Sequence, residues 1–374
     1  MLIVFLLLCG YVIMFKNIQV KYILGLVVSS IAASAIGCTN GGRIPQSERS
    51  PITSNLKTEN NIAQADLKPK VVASHNVICD LVGTIAQDTI DLTCLIDANQ
   101  DPHTYKPTPR DRQAIEEAQL IFYGGYELEP QITKLLTTTK NPKIALYERV
   151  VTEPMMMAAE DHHHEAEDDH HEAEESSESA SAESTPDKPE LEPDPHVWHN
   201  VENTVKIVDL IQSTLLQANP PAAAQYSENS ATLTKQLREL DTWVKDQLAT
   251  IPEGQKVLVT THDSLHYYVK AYSLEDYQTL HGLSAESTPT ASQVKKLTEE
   301  IKQTGVPTIF AESTASDRVL QNVARAAKVE LSPDKLYADG LGDAKNYVEM
   351  MSHNTCAIVD GLGGKCQTFK AKSE

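Results

Sequence analysis

Apolar positions along this chain fall into short blocks, and the spacing inside the blocks decides which element each one predicts. Val71-Val72-Ala73-Ser74 is a continuous run of the length of a buried strand, residues 76–86 carry a helical pattern, and residues 91–96 read as a second strand. Thr108-Pro109 opens another helix, with Thr as the cap and Pro at the first helical position, where its missing N–H costs nothing; it should run to about Ala118. Residues 120–123 and 144–147 are two more short apolar runs. In the second half, residues 256–261 and 307–311 repeat the strand-like pattern. Between them Thr290 caps a helix whose apolar positions Val294, Leu297 and Ile301 lie three and four apart, ending at Gly305. Strands alternating with helices imply mainly parallel sheets covered on both faces, so the expected fold class is α/β with two lobes.

One block is different in scale. From 222 to 249 there is neither Gly nor Pro, and Tyr226, Leu233, Leu237, Leu240, Val244 and Leu248 recur at helical spacing. This predicts a single amphipathic helix, roughly 40 Å long at 1.5 Å per residue, connecting the lobes stiffly. Residues 155–193 are different in kind. They hold His162, His163, His164, His170 and His171 among acidic residues, then a Ser/Ala/Glu run and three prolines. Such a segment buries no core and is expected to be disordered, with histidines that recruit metal weakly.

The expected organisation is therefore a signal segment over 1–37, a tether over 38–68, and an N-terminal α/β lobe over 69–221 interrupted by the His/acidic loop. The linking helix follows at 222–250 and a C-terminal α/β lobe at 251–374.

Charge sharpens this picture. The formal net charge is −20, but fifteen Asp or Glu against one Lys lie between Glu160 and Asp194. The rest of the chain is only mildly acidic, and neither nucleic acid nor an anionic membrane surface is an expected partner. At the N-terminus Lys16 and Lys21 precede the apolar run 22–36, which ends in small residues before Cys38. That is the pattern of an exported lipoprotein, with Cys38 as the lipidated residue. Met14-Phe15-Lys16 would itself serve as a start, so 1–13 reads as an extension. The alternative is one membrane anchor, against which stand the interrupting lysines. With Cys9 in the signal and Cys38 lipidated, Cys79, Cys94, Cys356 and Cys366 remain. In an oxidising compartment these allow three pairings, of which Cys79–Cys94 with Cys356–Cys366 keeps each bridge inside one lobe. No CxxC or CxxxC spacing points to cysteine-bound zinc.

The chemistry lies in the histidines. Asp-Pro-His occurs twice, at Asp101-Pro102-His103 and Asp194-Pro195-His196, and proline fixes the backbone just before each imidazole. A third, His262, directly follows the apolar run 256–261, at the strand end that faces the ligand crevice in open α/β sheets. Asp339, beyond the short run Lys335-Leu336-Tyr337, is a candidate fourth ligand. Three neutral imidazoles and one carboxylate make a closed tetrahedral site suited to Zn²⁺, whereas manganese favours oxygen-rich shells of higher coordination. A closed shell also argues against an enzyme, because catalytic zinc keeps a position open for water.

Taken in order, Val72-Ala73-Ser74, Asp101-Pro102-His103-Thr104-Tyr105, Pro107-Thr108-Pro109-Arg110-Asp111, the His/acidic insertion, Asp194-Pro195-His196-Val197-Trp198, the long helix, Thr261-His262-Asp263 and Ala311-Glu312 form a specific combination. Over roughly residues 70–366 the chain resembles the metal-binding lipoproteins of bacterial ABC importers, in particular the zinc-uptake group. The resemblance implies two α/β lobes joined by a rigid helix, with metal in the cleft between them. It also implies a monomer that delivers Zn²⁺ to an ABC permease and its ATPase, with ligands on His103, His196, His262 and Asp339. In manganese-carrying relatives a glutamate commonly stands at the place of His262.

The sequence departs from the family pattern at two places. Gly340 stands where Ser or Pro is more common, and His199-Asn200 where many relatives have Leu-Asp or Leu-Ser. His199 reads as a bystander rather than a donor behind the ligands, and His75, His266, His281 and His353 as ordinary core or surface histidines. Three other readings stay open: a manganese carrier of the same family, a surface adhesin, and an extracellular zinc hydrolase, the last without any general-base motif beside a ligand.

Overall fold

The computed structural model describes residues 68–158, 191–282 and 289–371. The signal segment 1–37, Cys38, residues 39–67 of the tether and the loop histidines His162, His163, His164, His170 and His171 lie outside the described residues.

The N-terminal half is built on β1 (Lys70–Ala73), whose side chains alternate between two buried apolar clusters. Val71 and Ala73 face Val77, Ile78, Leu81 and Ile85 of α1 (Asn76–Ala86), while Val72 faces the opposite cluster. Both faces of the strand are covered, so the strand is apolar throughout and not alternating in polarity. It is followed by β2 (Asp91–Cys94), α2 (Pro109–Glu117), β3 (Leu120–Tyr123), α3 (Pro130–Leu136), β4 (Lys143–Ala145) and α4 (Leu146–Val150). The four strands form one parallel sheet in the order β2-β1-β3-β4. α2 begins as expected from Thr108-Pro109, and Asp111 completes a capping box with Thr108. The apolar run 144–147 is not one strand. It changes at Ala145 from strand to helix, because the Tyr147 N–H bonds the Gly124 carbonyl and the Tyr147 ring packs flush against that glycine.

The segment expected to be irregular over 155–193 is narrower at both ends. There β5 (Met156–Ala158) and β6 (Leu191–Pro193) pair antiparallel, and the Asp194 N–H bonds the Met155 carbonyl. The stem returns the chain to α5 (Val201–Ala218) and then to α6 (Ala223–Leu248), the long helix. α6 has 26 residues and buries Tyr226, Leu233, Leu237, Leu240, Val244 and Leu248, the stripe that predicted it.

The C-terminal half comprises β7 (Val257–Thr260), α7 (His266–Ala271), β8 (Asp276–Thr279), α8 (Ala291–Thr304), β9 (Thr308–Ile309), α9 (Arg318–Ala327), β10 (Glu330–Leu331) and α10 (Tyr347–Gly361). β7 pairs parallel with β8 and β9 with β10, and the Phe310 N–H bonds the Val259 carbonyl across the two pairs at 2.9 Å. α8 has its capping box at Thr290 and Gln293 and stops at Gly305, whose left-handed φ of 71° suits glycine. α6 packs on α1 and α5 on one side and on α10 on the other, so one helix supports both halves. The disulfides Cys79–Cys94 and Cys356–Cys366 are formed, tying α1 to β2 and α10 to the C-terminal tail, with Cα separations of 5.8 and 5.1 Å. Among the described residues no helix is long and apolar enough to cross a membrane.

Candidate metal centre

Four segments distant in sequence meet at one point. His103 lies in the loop between β2 and α2, and His196 opens the 3₁₀ turn Val197–His199 just after β6. His262 stands two residues beyond β7, and Asp339 lies in the loop between β10 and α10. One donor atom from each of the four falls within 4.8 Å of every other. The Asp339 Oδ1 is 3.2 Å from the Nε2 of His262, 3.4 Å from that of His196 and 3.6 Å from that of His103. The Nε2 atoms of His103 and His196 are 3.2 Å apart. A zinc tetrahedron with ligands at ~2.05 Å has edges of about 3.3 Å, close to these four separations. His196, His262 and Asp339 are buried, and His103 alone is partly exposed.

Carboxylates behind the ring nitrogens aim the imidazoles. In both Asp-Pro-His strings the Asp Oδ1 accepts the backbone N–H of the histidine, at 2.8 Å for Asp101 and 2.9 Å for Asp194. This is the side-chain turn that Asp forms two residues ahead. Asp194 also accepts the Nδ1–H of His196 at 2.8 Å. Glu312 does the same for His262, accepting its backbone N–H at 3.2 Å and its Nδ1–H with the other oxygen. The Thr314 hydroxyl donates to the Asp339 Oδ2 at 2.5 Å. With each Nδ1 committed as donor, the Nε2 atoms of His196 and His262 face the centre, and on losing their protons they present the lone pairs that a metal requires. Sequence reasoning passed over Asp194, Glu312 and Thr314 as working residues. The repeated Asp two places before His was the available signal for the first; the other two approach from elements far along the chain.

Electrostatics follow from this packing. Burial works to lower the His196 pKa, but the carboxylates of Asp194 and Asp339 outweigh it and push it up to about 9. Against burial, Glu312 and Asp339 likewise hold His262 well above the ordinary histidine value. Burial would raise Asp339, yet the charge on His262 and the hydrogen bonds from the three imidazoles keep it well below the usual carboxylate range. Without metal the centre therefore stores protons on nitrogen and negative charge on Asp339.

His199 is not among the four converging donors. It is buried, and its Nε2–H donates to the Ala338 carbonyl at 2.8 Å. His75 is a core histidine, as expected, but its Nε2–H donates to the Asp339 carbonyl at 2.7 Å and its Nδ1 lies 3.3 Å from the Tyr147 hydroxyl. Burial above all lowers both, His75 to about 4 and His199 to about 3, so both are neutral near pH 7. Trp198 sits among these rings, its centroid 5.0 Å from His75, 5.4 Å from His196 and 5.3 Å from His199. Among the described residues the remaining histidines are not part of the four-donor group: His266 lies beside Asp263 at 2.7 Å, His353 is stacked on Tyr337, and His281 is hydrogen-bonded through its backbone to Thr261.

Known proteins resemble this chain over most of its length. The family described as zinc-uptake complex component A, periplasmic, matches residues 71–361. The metal ABC transporter substrate-binding lipoprotein SsaB of Streptococcus sanguinis is 29% identical over 81% of this chain and 92% of its own length. The manganese ABC transporter substrate-binding lipoprotein PsaA of Streptococcus mitis is 30% identical over 80% of this chain and 91% of its own. Among solved structures, the periplasmic zinc-binding protein TroA of Treponema pallidum is 27% identical and superposes with a TM-score of 0.66, covering 79% of this chain and 99% of that one. The match spans both halves and all four converging side chains. The chain belongs to the zinc-uptake component A family, solute-binding proteins of ABC importers and not enzymes.

Proposed function

We propose that this protein captures Zn²⁺ outside the cytoplasm and delivers it, as a monomer anchored through Cys38, to an ABC permease and its ATPase. The observation that carries the zinc reading is the convergence of three imidazoles and one carboxylate, whose donor atoms lie within 4.8 Å of one another. In this reading His103, His196, His262 and Asp339 are the ligands. A set with three nitrogens and a single carboxylate suits zinc better than manganese. The lipoprotein names of the relatives support the anchor.

Manganese is the second reading, favoured by the names of relatives such as PsaA of Streptococcus mitis. Affinity alone does not separate the two, because a fixed site binds zinc more tightly than manganese whatever its role. Mass spectrometry of protein purified without added metal, paired with growth of cells lacking the gene, separates them. Zinc in the protein and growth rescued by zinc support the proposal; manganese in both overturns it.

Zinc binding at neutral pH should release protons, since ligands must be deprotonated and His196 is held up to about 9. Affinity should accordingly rise with pH between 6 and 9. Calorimetry in buffers of different ionisation enthalpy measures this; a heat independent of buffer would contradict it.

The loop histidines His162, His163, His164, His170 and His171 act as an auxiliary, weak metal store in this reading. Deleting residues 159–190 and joining β5 to β6 by a short turn leaves the Met155–Asp194 bond in place. The variant should retain one tightly bound zinc and lose only weak equivalents. Loss of the tight site in a folded variant would mean that the loop belongs to it.

A further inference from the structure

The loop that carries Asp339 belongs by sequence to the C-terminal half but is held by the N-terminal half. Two consecutive carbonyls, of Ala338 and Asp339, accept hydrogen bonds from His199 and His75 at 2.8 and 2.7 Å. The Leu341 N–H donates to the Asn76 Oδ1 at 2.8 Å, and the Gly342 N–H to the Ala98 carbonyl at 3.2 Å. Between them Gly340 lies so close to Asn76 that a Cβ there would come within 2.7 Å of its amide and 3.0 Å of the Ala98 carbonyl. His199 and Gly340, the two departures from the family pattern, thus stand on the same contact: the small residue lets the loop approach, and the imidazole grips it.

We infer that His75 and His199 are positioning residues that hold the Asp339 carboxylate in the metal site, so that this chain closes its fourth position with protein rather than water. The inference rests on the metal-binding reading. The physical reason is rigidity. A loop carboxylate free to swing pays conformational entropy on binding metal, whereas one with both flanking carbonyls fixed has paid it during folding. On its outer side the carboxylate is held by Thr314, which sets its rotation, and the two imidazoles set the position of its backbone.

The test uses Zn²⁺ for affinity and Co²⁺ as a spectroscopic probe, whose visible bands are intense in four-coordinate sites and weak in five- or six-coordinate ones. His199→Leu should weaken zinc binding about 10–100-fold, the usual cost of losing an outer partner of a ligand, and dim the cobalt bands. His199→Gln, whose amide N–H can reach the same carbonyl, should recover most of both. In an Asp339→Ala background His199→Leu should change affinity by no more than about twofold, because the residue acts through Asp339. Gly340→Ser, which forces the loop off Asn76, should reproduce the dimmed bands, and it decides the matter if His199→Leu does not fold. Unchanged cobalt bands in a folded His199→Leu or in Gly340→Ser, or an equal loss with and without Asp339, would overturn the positioning role. That result is distinct from failure of the metal-binding reading, which would show as no tight zinc site in the unmodified protein.

Discussion

His262→Ala is expected to weaken zinc binding by about 100-fold or more, ~3 kcal/mol, because it removes a buried ligand and leaves a position that only water can fill. The His262 Nε2 is 3.2 Å from the Asp339 Oδ1 and its Nδ1–H is committed to Glu312, so the ring offers one nitrogen to the centre. Manganese affinity should fall as well. His262→Glu should behave differently: the ratio of manganese to zinc affinity should rise, because a carboxylate can supply two oxygens and added charge where the imidazole supplies one nitrogen. Zinc should still bind more tightly in absolute terms. This variant also carries a cost in the metal-free state, since it places a carboxylate beside Glu312 and Asp339 and removes the donor that Glu312 accepts. Competitive titration of both variants against chelators checks the prediction. Unchanged zinc affinity in His262→Ala would remove this residue from the site and weaken the zinc assignment with it.

Glu312→Ala should have the largest effect on stability. It leaves the backbone N–H and the ring Nδ1–H of His262 buried without acceptors, and it strips a raised-pKa imidazole of its counter-charge. Removing one partner of a buried pair costs about 3–5 kcal/mol. The metal-free protein should lose that order of stability in urea unfolding, and zinc affinity should fall about 10–100-fold because the ligand ring loses its orientation. Glu312→Gln keeps one acceptor for the imidazole and should fall between the two. Zinc should recover part of the lost stability in both variants, since it binds only the folded chain. A Glu312→Ala protein as stable and as tight-binding as the original would mean that Glu312 does not support His262.

Much of the fold was legible from local pattern. The helix at 76–86, the apolar run at 120–123, the capped helices beginning after Thr108 and Thr290, and the stripe of the long helix all stand where the spacing placed them. Each has its cause within a few residues: a capping side chain, a proline, a glycine stop or an apolar period. The run 307–311 was legible as strand but not in its pairing. Thr308 and Ile309 pair with β10, while Phe310 turns to β7 and Ala311 accepts from Leu336, partners that only the assembled sheets provide.

The same division runs through the metal centre. The candidate donors were legible locally, because the two Asp-Pro-His strings carry their own turn and His262 follows the end of a strand. The sequence also marked the cysteines to be paired and the long helix that supports both halves. What stands behind those donors comes from contacts between distant parts of the chain. His262 and Glu312 are 50 positions apart, His199 and Ala338 are 139, and His75 and Asp339 are 264. No local period or motif encodes contacts at such separations. They arise when two α/β halves close on one helix, and buried histidines that look unremarkable in sequence must find acceptors because an unpaired polar group in a dry interior is costly. In this protein the acceptors they find are the carbonyls of the loop that carries Asp339.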